Sequence, residues 1–153
     1  MLFSSLKISA SGLTAQRLRM DVISDNIANA STTRTATGGP YRRKKVIFQA
    51  RDPRIRVPLP FGRYLEIYLG NKKPEDSLRG VRVKAIVEDK SPFRLVYDPT
   101  HPDAGPDGYV RYPNVNVVQE MVDLIDATRA YEANVSAVQS AKSMFNSALQ
   151  IGR

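Results

Sequence analysis

The C-terminal quarter of the chain is predicted to form one long helix. Residues 114–151 contain neither Gly nor Pro, and the first helix breaker is Gly152. Asn116 with Gln119 three residues later fits a capping box at the start, with Asn in place of the usual Ser or Thr. A helix of about 35 residues is roughly 52 Å long. What covers so long a helix in a chain of 153 residues is therefore the main constraint on the fold.

Two adjacent faces of this helix are suited to packing. The first has bulky residues at alternating spacings of four and three, interrupted by Thr128 and Lys142, which is typical of a coiled-coil seam. Its members are Leu124, Tyr131, Val135, Val138, Phe145 and Leu149. The second face lies about 100° away and is mostly small; its members are Ala130, Ala133, Ala137, Ala141, Met144 and Ala148. A helix with two such faces needs more than one neighbour.

The N-terminal segment, residues 2–30, is also predicted to be helical. Leu6, Leu13, Met20 and Ile27 recur at intervals of seven and define one apolar stripe. The helix is expected to stop in ANASTTRTATGGP, where Ser, Thr, Gly and Pro accumulate. A second long helix therefore stands at the opposite end of the chain.

The middle of the chain changes from helical to strand periodicity. Short runs rich in Val, Ile, Phe and Tyr alternate between apolar and polar positions, which is typical of half-buried strands. Nine of the ten prolines lie between Pro40 and Pro106, as expected for turns and sheet edges. The predicted strands are RKKVIF, YLEIYL, GVRVKAIVED and FRLVY.

These segments predict an α+β fold in which a small antiparallel β domain is inserted between two long helices. We place the boundaries at residues 1–33, 34–113 and 114–153. The two ends of an inserted domain usually lie close together, so the helices should pack antiparallel. We expect the N-terminal stripe to pack on the bulky face of the C-terminal helix. The alanine face has no partner within one chain, which indicates a subunit of a larger assembly.

The net charge of +8 is concentrated in the β region, where residues 34–112 hold seventeen basic and nine acidic side chains. The run Arg42–Lys45 is the strongest nucleic-acid feature, but no recognition helix or pair of stacking aromatic residues accompanies it. The competing interpretation is contact with an acidic protein ring, or protection of an exposed sheet edge by charge. Glu120 and Asp123 suit the positive end of a helix dipole.

We expect neither catalysis nor a cofactor. His101 is the only histidine and lies between Asp98 and Asp103 in YDPTHPDAGPDG, whose prolines and glycines favour a rigid turn over a metal site. The chain has no cysteine, and no serine can be paired credibly with a base. The first residues lack the pattern of a cleavable signal peptide. No apolar run approaches the roughly 18 residues that span a bilayer.

Two motifs at opposite ends of the chain resemble the paired signatures of bacterial flagellar rod, hook and hook-associated proteins. The first comprises Ser11, Gly12 and Leu13 followed by Asn26, Ile27, Ala28 and Asn29. The second is EMVDLIDATRAYEAN, which includes Arg129, Ala130, Tyr131, Glu132, Ala133 and Asn134. Within that family, the segments GGPYRRKKVIF and SPFRLVYDPTHPDAGPDGYV are most similar to proximal rod proteins.

The resemblance implies a structural subunit of the proximal rod of the flagellar basal body, in the periplasmic space. Such a subunit belongs to the drive shaft that transmits torque from the MS ring to the distal rod and hook, and it encloses the export channel. The implied partners are other proximal rod proteins, the adaptor between MS ring and rod, the distal rod protein, the rod cap, the flagellar type III export apparatus and further copies of the chain. No nucleic acid or small-molecule ligand is expected, and export proceeds without cleavage of a signal peptide.

The resemblance also suggests roles for single residues. Asn26 and Asn29 are expected to cap or turn the chain where the helix leaves the tube, although ordinary turn chemistry explains them equally well. Arg129 and Glu132 either pair across subunits or form a solvated surface pair. Two other functions remain open: another axial protein of the same family, and a basic coiled-coil protein that binds nucleic acid.

Overall fold

A computed structural model of the protein describes residues 2–36, 38–51 and 80–151. Within these residues there are two long helices and four short strands, which confirms the α+β fold. The elements are α1 (Leu2–Ala28), β1 (Lys44–Ala50), β2 (Val81–Glu88), β3 (Arg94–Tyr97), β4 (Tyr109–Tyr112) and α2 (Val117–Ile151). Neither described helix is long and apolar enough to cross a membrane.

The two helices pack antiparallel, as predicted. Near the end of α1, Asn26 contacts Glu120 at the start of α2, whereas Gly12 lies against Asn134 farther along α2. Residue numbers therefore fall along one helix as they rise along the other, and the two residue numbers of a contacting pair add up to about 146. With 35 residues against 27, α2 extends past the start of α1.

Among the apolar residues of the two helices, small side chains are the most deeply buried. Ala15 and Ala127 are 3% and 0% exposed, whereas the bulky residues of both predicted stripes that lie along α1 are only half-buried. Two helices cannot enclose a large side chain on all sides, so these residues keep one flank in solvent. The half-buried set is Leu6, Leu13, Met20, Ile27, Leu124, Tyr131, Val135 and Val138.

Three predicted positions differ from expectation. Phe145 and Leu149, predicted for the core of the helix pair, are 41% and 58% exposed because this part of α2 runs beyond α1. Ala141, predicted to contact another subunit, is 5% exposed and thus already covered within its own chain. The helical positions were correct, but the sequence did not reveal how far the two helices overlap.

The strands form two separate antiparallel pairs. Strand β1 pairs with β2 from Lys44 opposite Glu88, with a register shift between Ile47 and Phe48. Strand β3 pairs with β4 from Arg94 opposite Tyr112. Both β1 and β2 pack on α1. Three of the predicted strands are confirmed.

The remaining strand predictions have different outcomes. The fourth predicted strand, residues 64–69, lies outside the described residues. Strand β4 was not predicted, because four residues between Gly108 and Pro113 are too short for an alternating pattern. Helix α2 begins as expected: the Asn116 side chain accepts hydrogen bonds from the backbone N–H groups of Val118 and Gln119.

Candidate functional site

A cluster of polar side chains joins both helices to the first sheet, and we call it the polar joint. At its centre Asn26 is 1% exposed. Its amide nitrogen donates to Glu120 Oε2 and to the Lys44 carbonyl, both at 2.9 Å, and its oxygen accepts from the Lys44 N–H at 2.9 Å. A single amide therefore connects α1, β1 and α2. The members are Asp25, Asn26, Tyr41, Arg43, Lys44, Glu120 and Asp123.

The charge at the base of α2 is buried and neutralised inside the chain. Glu120 is 1% exposed and forms a salt bridge with Arg43. The same guanidinium lies 3.3 Å from Asp123 Oδ2, and Arg19 approaches Asp123 from α1 at 3.4 Å. A carboxylate removed from water is tolerated only when it is paired and hydrogen-bonded, and here Arg43 and Asn26 meet both requirements.

The outer half of the polar joint is more exposed. Lys44 Nζ lies 2.9 Å from Asp25 Oδ2, and this hydrogen bond lowers the pKa of Asp25 below its ordinary value. The Tyr41 hydroxyl lies 3.0 Å from both Asp25 Oδ2 and Asn26 Oδ1, and its one hydrogen can go to either oxygen. Burial, together with the neighbouring Asp25 carboxylate, raises the pKa of Tyr41, so its hydroxyl stays a donor throughout the neutral range.

The sequence leaves the role of the basic run Arg42–Lys45 open. In the structure, these side chains contact other residues of the same chain. Arg43 and Lys44 belong to the polar joint. Lys45 Nζ lies 2.6 Å from Asp89 Oδ2, and this contact lowers the pKa of Asp89. Arg42 lies over the Phe93 ring, 4.3 Å from its centroid. All four side chains have partners within the chain, on both helices and in the β region, which weakens the case for a nucleic-acid surface.

The two family motifs meet along the helix pair. A Cβ atom added at Gly12 would lie 2.8 Å from Asn134 Oδ1, so only glycine fits this position without displacing that side chain. Asn134 is held in place by a 2.7 Å hydrogen bond from its amide to the Ala130 carbonyl. The close approach of the helices here therefore depends on one residue from each motif.

Ser11 links the first motif to the sheet. Its hydroxyl donates to the Ile8 carbonyl at 2.6 Å and accepts from the Val81 N–H at 3.1 Å. Gly80 has a φ of +79°, and a Cβ there would clash with Ser11 Oγ. Consecutive residues of α1 thus contact β2 on one side and α2 on the other.

Family models match the two ends of the chain, and individual relatives match nearly its whole length. A family model described as "Flagella basal body rod protein" matches residues 6–34, and one described as "Flagellar basal body rod FlgEFG protein C-terminal" matches residues 107–151. The "Flagellar basal-body rod protein FlgC" of Borreliella burgdorferi is 54% identical, over 98% of this chain and 97% of the relative. The proteins of that name from Bacillus subtilis and Aquifex aeolicus are 47% and 38% identical, over 99% and 94% of this chain and 98% and 92% of the relatives.

The chain belongs to the FlgC family of flagellar basal-body rod proteins. This family is structural rather than enzymatic, and it places the protein in the basal-body rod. Membership implies assembly with other rod components and with further copies of the chain.

Asn26 and Asn29, the two asparagines of the first motif, have different roles. Asn29 lies in the turn after α1, where its amide donates to the Asp25 carbonyl at 2.9 Å and its oxygen accepts from Thr32 Oγ1 at 3.2 Å. Asn26 lies inside α1 and does not turn the chain; it holds β1 and α2 instead. The expectation of a shared capping role is therefore corrected for Asn26, because the sequence did not show which elements approach it.

The predicted inter-subunit face of α2 is only partly accessible in one chain. Ala133, Ala137, Met144 and Ala148 are exposed, and Ala130 is half-buried. Arg129 and Glu132 are both exposed, and neither forms an ion pair within the described residues.

The histidine segment is a structured turn. His101 Nδ1 accepts a 3.1 Å hydrogen bond from the Asp103 N–H, and the His101 ring packs edge-on against Tyr112. Asp98 accepts from the Thr100 backbone and hydroxyl, which lowers the pKa of Asp98. In the part of the chain that the structure describes, no three His, Cys, Asp or Glu side chains form a group that could hold a metal ion.

Proposed function

We propose that the chain is a structural subunit of the proximal rod, in the drive shaft between the MS ring and the distal rod and hook. In this proposal the helix pair lines the export channel and the β region lies outside it. A drive shaft must transmit torque between its inner and outer layers without shear. The buried joint supports this role, because Asn26 and Glu120 connect both helices to β1 through short hydrogen bonds and a salt bridge.

The proposal includes a set of partners and a route to the rod. The partners are other proximal rod proteins, the adaptor between MS ring and rod, the distal rod protein, the rod cap and the export apparatus. The chain would reach the periplasm through the flagellar export apparatus without cleavage of a signal peptide. Support comes from the family and from its helix pair, since long helices with exposed apolar positions are completed by neighbouring subunits.

The alanine face remains our proposal for contact with adjacent subunits, with Ala141 removed from it. Ala133 and Ala137 are exposed on the flank of α2, where small side chains would let a neighbouring helix approach closely. Ala130, Met144 and Ala148 extend the same flank. The proposed contact needs no further rearrangement of the helix pair.

Complementation of a strain that lacks this chain tests the proposed function. A tagged copy should restore motility and copurify with isolated basal bodies, and mass spectrometry of the untreated product should recover its N-terminal peptide. The double substitution Asn26→Ala and Glu120→Ala should abolish both, whereas Lys90→Ala, at an exposed position outside the polar joint, should retain both. Complete basal bodies with hooks in the deletion strain would overturn the proposed role.

A further inference from the structure

Besides the alanine face, α2 has another exposed apolar surface, which lies on its outer side. Val118, Met121, Val122 and Ile125 are 71%, 54%, 48% and 52% exposed. Their spacing places them on one face of the helix. Ala127 is fully buried on the side of α2 where Thr128 contacts Met20 of α1, and it is two residues, and thus about 200°, from Ile125. The surface therefore points away from its own α1, and a contiguous exposed apolar surface of this kind marks an interaction site.

Helix α1 has an exposed face of complementary shape. Residues on its outer side recur at alternating spacings of three and four, the spacing of a coiled-coil seam. Four of the seven are small, so the face is shallow and can receive bulky side chains. The seven, all exposed, are Lys7, Ala10, Thr14, Arg17, Asp21, Ser24 and Ala28.

Charges on the two faces provide an independent observation. Arg17 and Asp21 lie on the α1 face, and Arg129 and Glu132 continue the α2 face beyond Ile125. All four are exposed and form no ion pair among the described residues. If the faces met antiparallel, Arg17 would lie opposite Glu132, and Asp21 opposite Arg129. A parallel arrangement would oppose like charges, so the charges select the antiparallel one.

We propose that the outer face of α2 docks onto the outer face of α1 in a second copy of this chain. Arg17 opposite Glu132 and Asp21 opposite Arg129 make facing residue numbers sum to about 150. The same register places Ile125 over Ser24, and Met121 and Val122 over Ala28, so that bulky side chains meet small ones. The charge pairs and the pairs of bulky with small side chains involve different residues, and both indicate the same register. A second copy is the occupant because both matching surfaces belong to this chain.

The geometry of this contact suits an extended assembly. It joins two different faces, so each copy keeps one free α1 face and one free α2 face, and copies add head to tail into a ring or helix. For α1 and α2 of one chain, the residue numbers of facing residues add up to about 146, compared with about 150 for the contact between copies. The neighbour is therefore displaced by three to four residues, about 5 Å along the axis. This inference rests on the proposed rod function and assigns the faces through which copies of the subunit meet.

Disulfide cross-linking tests the contact directly, because the chain has no cysteine of its own. The full chain with Ser24→Cys and Ile125→Cys would replace the natural copy in flagellated cells and be oxidised gently. These positions lie on opposite outer sides of one helix pair and cannot bridge within a chain. We expect a ladder of cross-linked multimers of this chain in purified basal bodies. Each single-cysteine variant, and the out-of-register pair Ser24→Cys with Ser136→Cys, should give no ladder.

Charge reversal tests the register. Arg17→Glu in the double-cysteine chain should abolish the ladder, and adding Glu132→Arg should restore it. If the first cysteine pair prevents entry into basal bodies, Ala28→Cys with Val122→Cys takes its place. No ladder from chains present in basal bodies of motile cells would overturn this contact and leave the rod function standing. A cross-link from the Ile125→Cys position to a different protein would also overturn it. Absence of the chain from basal bodies of motile cells would instead overturn the rod function.

Discussion

The two ends of the helix pair differ in how they are completed. Next to the sheets, Asn26 and Glu120 are each 1% exposed, and their polar atoms are bonded within the chain. At the opposite end, Phe145 and Leu149 are 41% and 58% exposed on a part of α2 that runs beyond α1. Most of the stability of helices in proteins comes from tertiary packing of an amphipathic face. The end at the polar joint is therefore fixed by internal bonds, whereas the far end exposes apolar side chains that neighbouring subunits would cover in the assembly we propose.

The largest effect on folding is expected at the polar joint. Glu120→Ala leaves the Arg43 guanidinium and the Asn26 amide without their buried partner, and breaking such a pair costs about 3–5 kcal/mol. Urea denaturation should show that loss in the free energy of unfolding. The matched control is Glu132→Ala on the exposed side of α2, which should change it by less than about 0.5 kcal/mol. Equal effects of the two substitutions would remove the distinction between a buried joint and a solvated helix face.

A smaller loss is expected where the two motifs touch. Gly12→Ala gains about 1 kcal/mol of helix propensity, but its Cβ meets Asn134 Oδ1 at 2.8 Å. Overpacking of this kind costs about 1–3 kcal/mol. The Asn134 side chain cannot move freely because it is bonded to Ala130. We expect a net loss of about 1 kcal/mol in thermal or urea unfolding.

Removing the neighbour should reverse that result. In the double variant Gly12→Ala with Asn134→Ala, the close contact is gone and the helix propensity remains, so part or all of the stability should return. If Asn134→Ala does not relieve Gly12→Ala, the contact between the motifs is not what requires glycine.

Acid should weaken the outer half of the joint modestly. The Lys44 hydrogen bond lowers the pKa of Asp25 below its ordinary 3.8. The stabilising contribution is therefore complete above that ordinary value and is lost as the pH falls through the folded-state pKa. Because the pair is about half exposed, it contributes only about 0–1 kcal/mol. Asp25→Asn should lower stability at about pH 6, and the difference should shrink as the pH falls below the ordinary value of 3.8, measured by urea denaturation. A constant difference across this pH range would exclude titration of Asp25 as the cause.

The smallest effect on folding is expected at the alanine face, where assembly should suffer most. Ala137 is exposed, so Ala137→Leu should change the free energy of unfolding of the isolated chain by less than about 0.5 kcal/mol. Between packed subunits the added bulk costs about 1–3 kcal/mol per contact, so incorporation into basal bodies and motility should be lost. Ala137→Ser is the matched control and should remain motile. Normal motility of Ala137→Leu would exclude close packing at this position.

The sequence predicted local structure well and the polar joint poorly. The sequence predicts Glu120 as a helix-dipole charge and Arg43 as part of a basic run, and the two residues are 77 positions apart. Nothing in their spacing indicates that they pair in a buried site. The exposed face of α2 had a sequence signal, since Val118, Met121, Val122 and Ile125 are spaced for one helix face. The sequence does not show, however, which face of α2 is left without a partner within the chain.

The sequence by itself determined the two helices, three of the strands, the antiparallel arrangement and the family. These follow from periodicity, helix breakers and motifs, which are local properties of the chain. Only the tertiary structure decided that Arg42–Lys45 have their partners within the chain, that Asn26 connects three elements and that Ala141 is buried. Such outcomes depend on which distant side chains meet and on how far α1 and α2 overlap. A pattern of residue types fixes the faces of a helix, whereas packing in three dimensions decides which face finds its partner within the chain.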